Sequence, residues 1–423
     1  MNEPRDNSPK REHRRILILT ADAGFGHRSA ANAVASALAE LYGDQCDVSI
    51  VNPLEDKRVA FFLRDSGSDY DKMVRNMPEL YRFGYDFSDS SLPAVIVEQA
   101  LVVLLFEVMR DVVRANKPDA ILSTYPLYQA PLRAVDIISR KSIPLLVTIT
   151  DLATVHRLWF SNSIDQLMVP TSIVRDMAIG YGIAPEQIKI SGIPVNPEVV
   201  REKRSPQEIR KSFGLQPDIT TVLAVGSRRV DHLTSTLNVL NHFGRPLQLI
   251  MVAGRDVALY RQLKGMDWHV PYKLYEFSNQ VTTLMKASDF IVCKAGGLIV
   301  TEGLACGKPL LLVDAIPGQE TGNADYVVQN GAGELVRDPI EVLETLSHWL
   351  MNDGALLRRR AKAASELGRP NAAYEVAAAL WTAAGWAPNP TGSERGASRT
   401  RLIDLLSRNH VPLEEDPASW RKN

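Results

Sequence analysis

His27 is singled out by its place in the run ADAGFGHRSAANA, where Gly24 and Gly26 come just ahead of it and a helix begins. The partial positive charge at a helix N-terminus disfavours imidazolium, which keeps the ring neutral near neutral pH and able to take a proton. A hydroxyl attacking an electrophilic carbon needs a base of about that strength. The spacing alone leaves a second reading open, a histidine that caps or packs.

A second constellation lies in KAGGLIVTEGLA. Gly296 and Gly297 fall between a strand and a helix opened by Leu298, so bare backbone N–H groups and the helix N-terminus can approach a pyrophosphate. Glu302, on the first turns of that helix, can accept hydroxyl hydrogens from a ribose. A tight turn followed by a solvent-facing glutamate is the alternative. In DAIPGQETGNADY, Gln319, Glu320 and Asn323 bring paired donors and acceptors of the kind that fix vicinal hydroxyls, or else form a polar surface loop. The turn VGSRRVDH offers Gly226 and Ser227 to phosphate, with Arg228 and Arg229 either further phosphate cations or solvated residues. In VTITDLATVHRLWF, Asp151 and His156 follow a strand, and Trp159 with Phe160 makes an aromatic platform. An Asp–His pair is a second acid–base candidate. The preferred reading is that these residues position the acceptor or cap the turn, since one base suffices.

These residues sit where strands hand over to helices. RILILT is a buried parallel strand, and the following helix has Ala30, Val34, Leu38 and Leu41 on one face. Strand DVSIVN completes a Rossmann-like opening, and DAILST, PLLVTIT, DQLMVP and QIKISG continue it. The proline- and charge-rich PVNPEVVREKRSP marks a linker. The alternation then restarts with TTVLAVGS, LQLIMVAG, DFIVCKAGG and KPLLLVD. The expected organisation is a leader at 1–14, a first half at 15–196, a linker at 197–206, a second half at 207–386 and a polar tail at 387–423, read either as loose throughout or as carrying a docking helix in the amphipathic piece RTRLIDLLSR. Ligands bind outside the carboxyl ends of such sheets, which face each other across a cleft.

The chain has 423 residues, enough for two domains, with 45% hydrophobic and 23% charged residues. A net charge of -1 leaves no global field for nucleic acid. Three scattered cysteines fit a reducing compartment better than a disulfide framework or zinc site. The charged N-terminus lacks an apolar signal region, and the apolar run from Leu92 to Met109 is interrupted by Glu98, Gln99 and Glu107, so no span is expected. That run reads either as a core helix, which its length favours, or as a surface helix dipping into a membrane.

The stretch from Phe277 through Gly333 closely resembles the donor half of the monogalactosyldiacylglycerol synthases and the processive diacylglycerol glucosyltransferases. More distantly it is similar to the N-acetylglucosaminyltransferase that makes lipid II. The resemblance runs from Arg15 to Gly333. It implies an α/β GT-B fold and transfer from UDP-glucose or UDP-galactose to a lipid acceptor, with peripheral membrane contact. By the same resemblance Phe277 flanks uracil, Gly296 and Gly297 hold phosphate, Glu302 holds ribose, and Gln319 with Glu320 holds the sugar. His27 becomes the base, although GFGHR here replaces a family pattern like GGGHR, and Phe25 narrows the loop. Tyr81, with Tyr70, Pro78 and Tyr85, resembles an acceptor-side segment. No DxD-like run occurs in the donor stretch, so neither metal nor cofactor is expected, and a single displacement would invert the anomeric centre. A cytoplasmic location, peripheral on the inner face of the plasma membrane, is expected. A UDP-sugar epimerase and a non-catalytic UDP-sugar sensor remain as alternatives.

Overall fold

A computed structural model describes residues 13–22, 25–64, 91–226, 232–316, 320–386 and 394–412. The first sheet comprises β1 (Arg14–Leu19), β2 (Cys46–Val51), β3 (Ala120–Ser123), β4 (Leu145–Thr148), β5 (Gln166–Val169) and β6 (Ile188–Ile190). The second comprises β7 (Thr220–Val225), β8 (Leu247–Val252), β9 (Tyr272–Tyr275), β10 (Phe290–Lys294), β11 (Leu310–Asp314) and β12 (Gly333–Leu335). Their orders are β2-β1-β3-β4-β5-β6 and β12-β11-β10-β7-β8-β9, with parallel pairing throughout.

The strands are continuous apolar runs because both faces of each sheet are covered. On β1, Leu17 and Leu19 enter one core cluster while Ile16 and Ile18 enter another. On β10, Ile291 and Cys293 face one cluster, Phe290 and Val292 the other. The Phe25–Tyr42 helix buries Ala30, Val34 and Leu38 as its periodicity requires, but Leu41 is exposed, and Ala31 and Ala37 complete the inner face.

Strand order sets where ligands go. In the first sheet the chain leaves β1 toward β2 and returns on the other side at β3. In the second it leaves β7 toward β8 and returns at β10. The loops after β1 and β3, and after β7 and β10, therefore diverge and open a crevice at each switch point.

One helix sits differently from the sequence reading, and the amphipathic piece of the tail docks as a helix. Ala372–Ala383, assigned by sequence to the second half, buries Ala373, Val376, Ala377 and Leu380 against Ile16, Ile18 and Val34 of the first. Tyr374 on this helix donates to Glu40 at 2.6 Å, which ties the returning chain to the Phe25–Tyr42 helix. Within the stretch read as a polar tail, Glu394–Arg408 packs Leu402, Leu405 and Leu406 on the first core. The Ser91–Asn116 helix is chiefly a core helix, with Leu101, Leu105, Phe106 and Met109 buried, yet it leaves Ile96 68% exposed. Among the described residues no helix is long and apolar enough to cross a membrane.

Candidate active site

His27 lies in the first turn of the helix that follows β1. Its Nδ1 is 2.8 Å from the Thr124 carbonyl, which follows β3, and 2.8 Å from Thr150 Oγ1, which follows β4. The switch point thus assembles the histidine's surroundings from three strand ends. A carbonyl only accepts, so Nδ1 carries the hydrogen and Nε2 holds the lone pair. No hydrogen bond to Nε2 occurs among the described residues. Desolvation pushes the imidazole down to about 4, against the pull of the Thr124 carbonyl. That is lower than the helix terminus alone suggests, because burial dominates. Tyr125 meets the ring edge-on at 4.9 Å between centroids, and Trp159 lies tilted at 6.1 Å.

Trp159 and Phe160 are no exposed platform. They are 1% and 8% exposed, packed into the first core, where the Gln129 amide donates to the Trp159 carbonyl. The Trp159 indole N–H donates to Asp151 at 2.9 Å, while burial holds that carboxyl up at about 6. His156 caps its turn, its Nδ1 accepting from the Leu158 N–H at 3.2 Å. Asp151 thus braces a tryptophan beside His27, and His156 does local structural work. Gly26 is in the same first turn as His27, and a Cβ added there would meet nothing within 4 Å. Gly24 and Tyr81 lie outside the described residues.

On the facing half, Gly296 is the N-cap and Gly297 the first residue of the Gly297–Ala305 helix. No side chain caps this end, so the first-turn N–H groups, including that of Leu298, stay open to an anion. The Glu302 carboxyl, on the same helix, has no hydrogen-bond or ion-pair partner among the described residues, and desolvation raises it to about 7. An unpaired, desolvated carboxyl is a costly feature that hydroxyl donors of a ligand would relieve. Asn323 is 4% exposed. Its amide N–H donates to the Ala295 carbonyl at 3.0 Å, and its buried Oδ1 has no partner among the described residues. Phe277, 51% exposed just beyond β9, lies under the Arg255 guanidinium at 4.2 Å.

On the donor side, Gly226 departs from its expected role. The Gly226 N–H is already spent on the Val252 carbonyl at 2.8 Å, and a Cβ there would come within 2.4 Å of Leu259. Packing rather than phosphate approach explains that glycine. Glu320, 5% exposed, is held by an ion pair with Lys294 and by the Ile316 N–H, which fixes its carboxylate while leaving lone pairs on both oxygens. Gln319, Ser227, Arg228 and Arg229 lie outside the described residues.

The two halves meet along residues 150–154. The Thr150 carbonyl is 3.1 Å from where a Cβ on Gly297 would stand, Leu152 is buried in the second half's core, and Thr154 abuts Gly322. Sequence reasoning missed Thr124, Thr150, Arg255 and Lys294. Only Lys294, adjacent to the AGG turn, carried a visible signal.

The residues now gathered match known families in two blocks. Residues 27–195 match Monogalactosyldiacylglycerol (MGDG) synthase, and residues 220–376 match the Glycosyltransferase family 28 C-terminal domain. The chloroplastic monogalactosyldiacylglycerol synthase of Spinacia oleracea is 31% identical over 89% of this chain and 73% of its own length. The chain belongs to the monogalactosyldiacylglycerol synthase family. It is a glycosyltransferase. The probable chloroplastic monogalactosyldiacylglycerol synthase 2 of Oryza sativa subsp. indica is 32% identical, covering 85% of this chain and 79% of that protein. Both relatives are chloroplastic, which overturns the expectation of a cytoplasmic protein on the inner face of the plasma membrane. Acinetobacter baumannii MurG superposes with a TM-score of 0.55 at 15% identity, over 87% of this chain and 99% of that one. The calicheamicin glycosyltransferase CalG4 superposes with a TM-score of 0.54 at 14% identity, over 88% and 100%. Both share the GT-B fold of this family member.

Proposed function

We propose that this protein transfers a hexose from a UDP-sugar to a hydroxyl of diacylglycerol or a related lipid, by one inverting displacement that needs no metal. The observation that carries this reading is the single residue Thr150, whose hydroxyl lies 2.8 Å from His27 Nδ1 and whose carbonyl stands 3.1 Å from where a Cβ on Gly297 would be. An acceptor hydroxyl at His27 Nε2 would face a donor whose diphosphate rests on the open helix end. The hydroxyl oxygen forms the new glycosidic bond as His27 takes its proton. The bond to the departing UDP breaks, and backbone N–H groups stabilise the leaving charge.

At about 4, the free imidazole is a weak base. The diphosphate supplies what is lacking, because anionic charge nearby favours imidazolium and raises its basicity. The base is thereby strongest when the donor is bound. The lipid acceptor is supported by the names of the chloroplastic relatives and by the exposed Ile96 and Leu104 on the Ser91–Asn116 helix.

The test incubates the protein with UDP-glucose or UDP-galactose, with and without diacylglycerol vesicles, and follows UDP release and glycolipid together. Lipid-dependent release with a glycolipid product supports the proposal and selects the sugar. UDP-sugar binding without lipid modification sinks it and directs attention to soluble acceptors or epimerisation.

A further inference from the structure

We propose that Thr150 is a positioning residue that links the readiness of His27 to docking of the donor half. The proposal rests on the reading of His27 as base. Thr150 is 6% exposed, and its two oxygens work in opposite directions. Its hydroxyl lies 2.8 Å from His27 Nδ1, and its carbonyl faces Gly297. The Thr124 carbonyl approaches the same nitrogen at 2.8 Å, so the Nδ1 hydrogen is shared between two uncharged oxygens. When Nε2 takes the proton from the acceptor hydroxyl, the ring becomes positive, and both oxygens stabilise the charge through Nδ1–H. The Thr124 hydroxyl donates to the Leu19 and His27 carbonyls, each at 3.2 Å, which holds this corner in place.

A carboxylate at Nδ1 would raise the basicity of the ring in the free protein. Two neutral acceptors orient the ring and leave its basicity to the arriving donor. The backbone bearing the Thr150 hydroxyl is part of the interface, with Leu152 inside the second half's core and Thr154 against Gly322. A shift of the second half therefore moves the group that orients the base.

Thr150→Val removes the hydroxyl while keeping the shape. It is expected to lower kcat about tenfold with the UDP-sugar KM within about twofold, the scale of one hydrogen bond made in the transition state. Thr150→Ser is expected to restore most of the loss. Gly322→Ala, which wedges the 150–154 strip, is expected to cost less kcat on a Thr150→Val background than alone, because both act through one hydroxyl. Unchanged kcat in Thr150→Val, or failure of serine to restore it, overturns the positioning role. Additive losses in the double variant overturn the link to docking. Normal turnover in His27→Ala would instead remove the base reading itself, whereas a dead His27→Ala beside an unaffected Thr150→Val sinks only this proposal.

Discussion

The two halves present ionisable groups to one cleft but treat charge in opposite ways. In the first half, His27 is surrounded by the Thr124 carbonyl, the Thr150 hydroxyl and the rings of Tyr125 and Trp159. Every one of these is uncharged. In the second half, the Lys294–Glu320 ion pair stands beside the Gly296–Gly297 turn, and the Glu302 carboxyl is desolvated with no hydrogen-bond or ion-pair partner among the described residues. Desolvation acts on both halves with opposite sign for stability. Between about 6.5 and 4, the unfolded chain takes a proton at His27 that the folded one refuses, so acid destabilises through this group. At Glu302 the folded state holds the extra proton between 4.5 and about 7, so acid stabilises. The difference shows what each half awaits. Under the proposed function, one nucleotide sugar would bring a negative charge to the first and hydroxyl donors to the second.

The largest expected effect strikes the first half. His27→Ala should lower kcat about a hundredfold or more while donor affinity, measured by calorimetry, stays close to that of the parent. The pH profiles sharpen the point. The acid limb of kcat/KM for the donor reports the free protein and should lie near 4, and the acid limb of kcat should lie at higher pH, because bound diphosphate raises the basicity of the imidazole. Coincident limbs would show that donor charge does not reach the ring.

Lys294 carries the next effect. It is 17% exposed and its partner Glu320 is 7% exposed at the side chain. Lys294→Ala leaves a carboxylate buried with only the Ile316 N–H for company, at a cost of about 3–5 kcal/mol in denaturant unfolding. Adding Glu320→Gln should recover most of that stability. A single variant as stable as the parent would mean that the Glu320 carboxylate reaches solvent once Lys294 is removed.

Glu302→Gln separates ligand binding from stability. It should raise the UDP-sugar KM about ten- to a hundredfold, the scale of charge-assisted hydrogen bonds to ribose. The free protein should become more stable by about 1–3 kcal/mol above pH 7, because the desolvated carboxylate is gone, with little change below 4.5. Equal unfolding midpoints of variant and parent at pH 8 would show that Glu302 is solvated in the free protein.

The fold was legible because it is written in local patterns. Continuous apolar runs such as RILIL and LQLIMV declare buried parallel strands, and glycine-bearing turns declare where they hand over to helices. Gly296, Gly297 and Glu302 were legible for the same reason, being neighbours in sequence. Thr124 and Thr150 were not, since a threonine after a strand is ordinary until the sheet order brings it to His27. Trp159 misled because an aromatic pair in a loop-like stretch carries no mark of burial. Gly226 misled because a glycine required by a neighbouring leucine looks in sequence like one required by phosphate.

The smallest effect tests the seam between the halves. A Cβ on Gly322 would come within 1.9 Å of the Thr154 hydroxyl oxygen, so Gly322→Ala forces that side chain or the strip bearing it to move. The hydroxyl can rotate away, but the Thr154 Cβ and N–H nitrogen remain at 3.1 and 3.2 Å, so the strip must yield slightly. A small loss of kcat, about three- to tenfold, is expected, with folding stability reduced by less than about 2 kcal/mol, as for modest overpacking. Thr154→Ala removes the hydroxyl and methyl groups and should return part of the kcat lost in Gly322→Ala, while changing little alone. If the second substitution instead deepens the loss, the two sites do not meet during turnover. The two halves would then operate without sharing this contact.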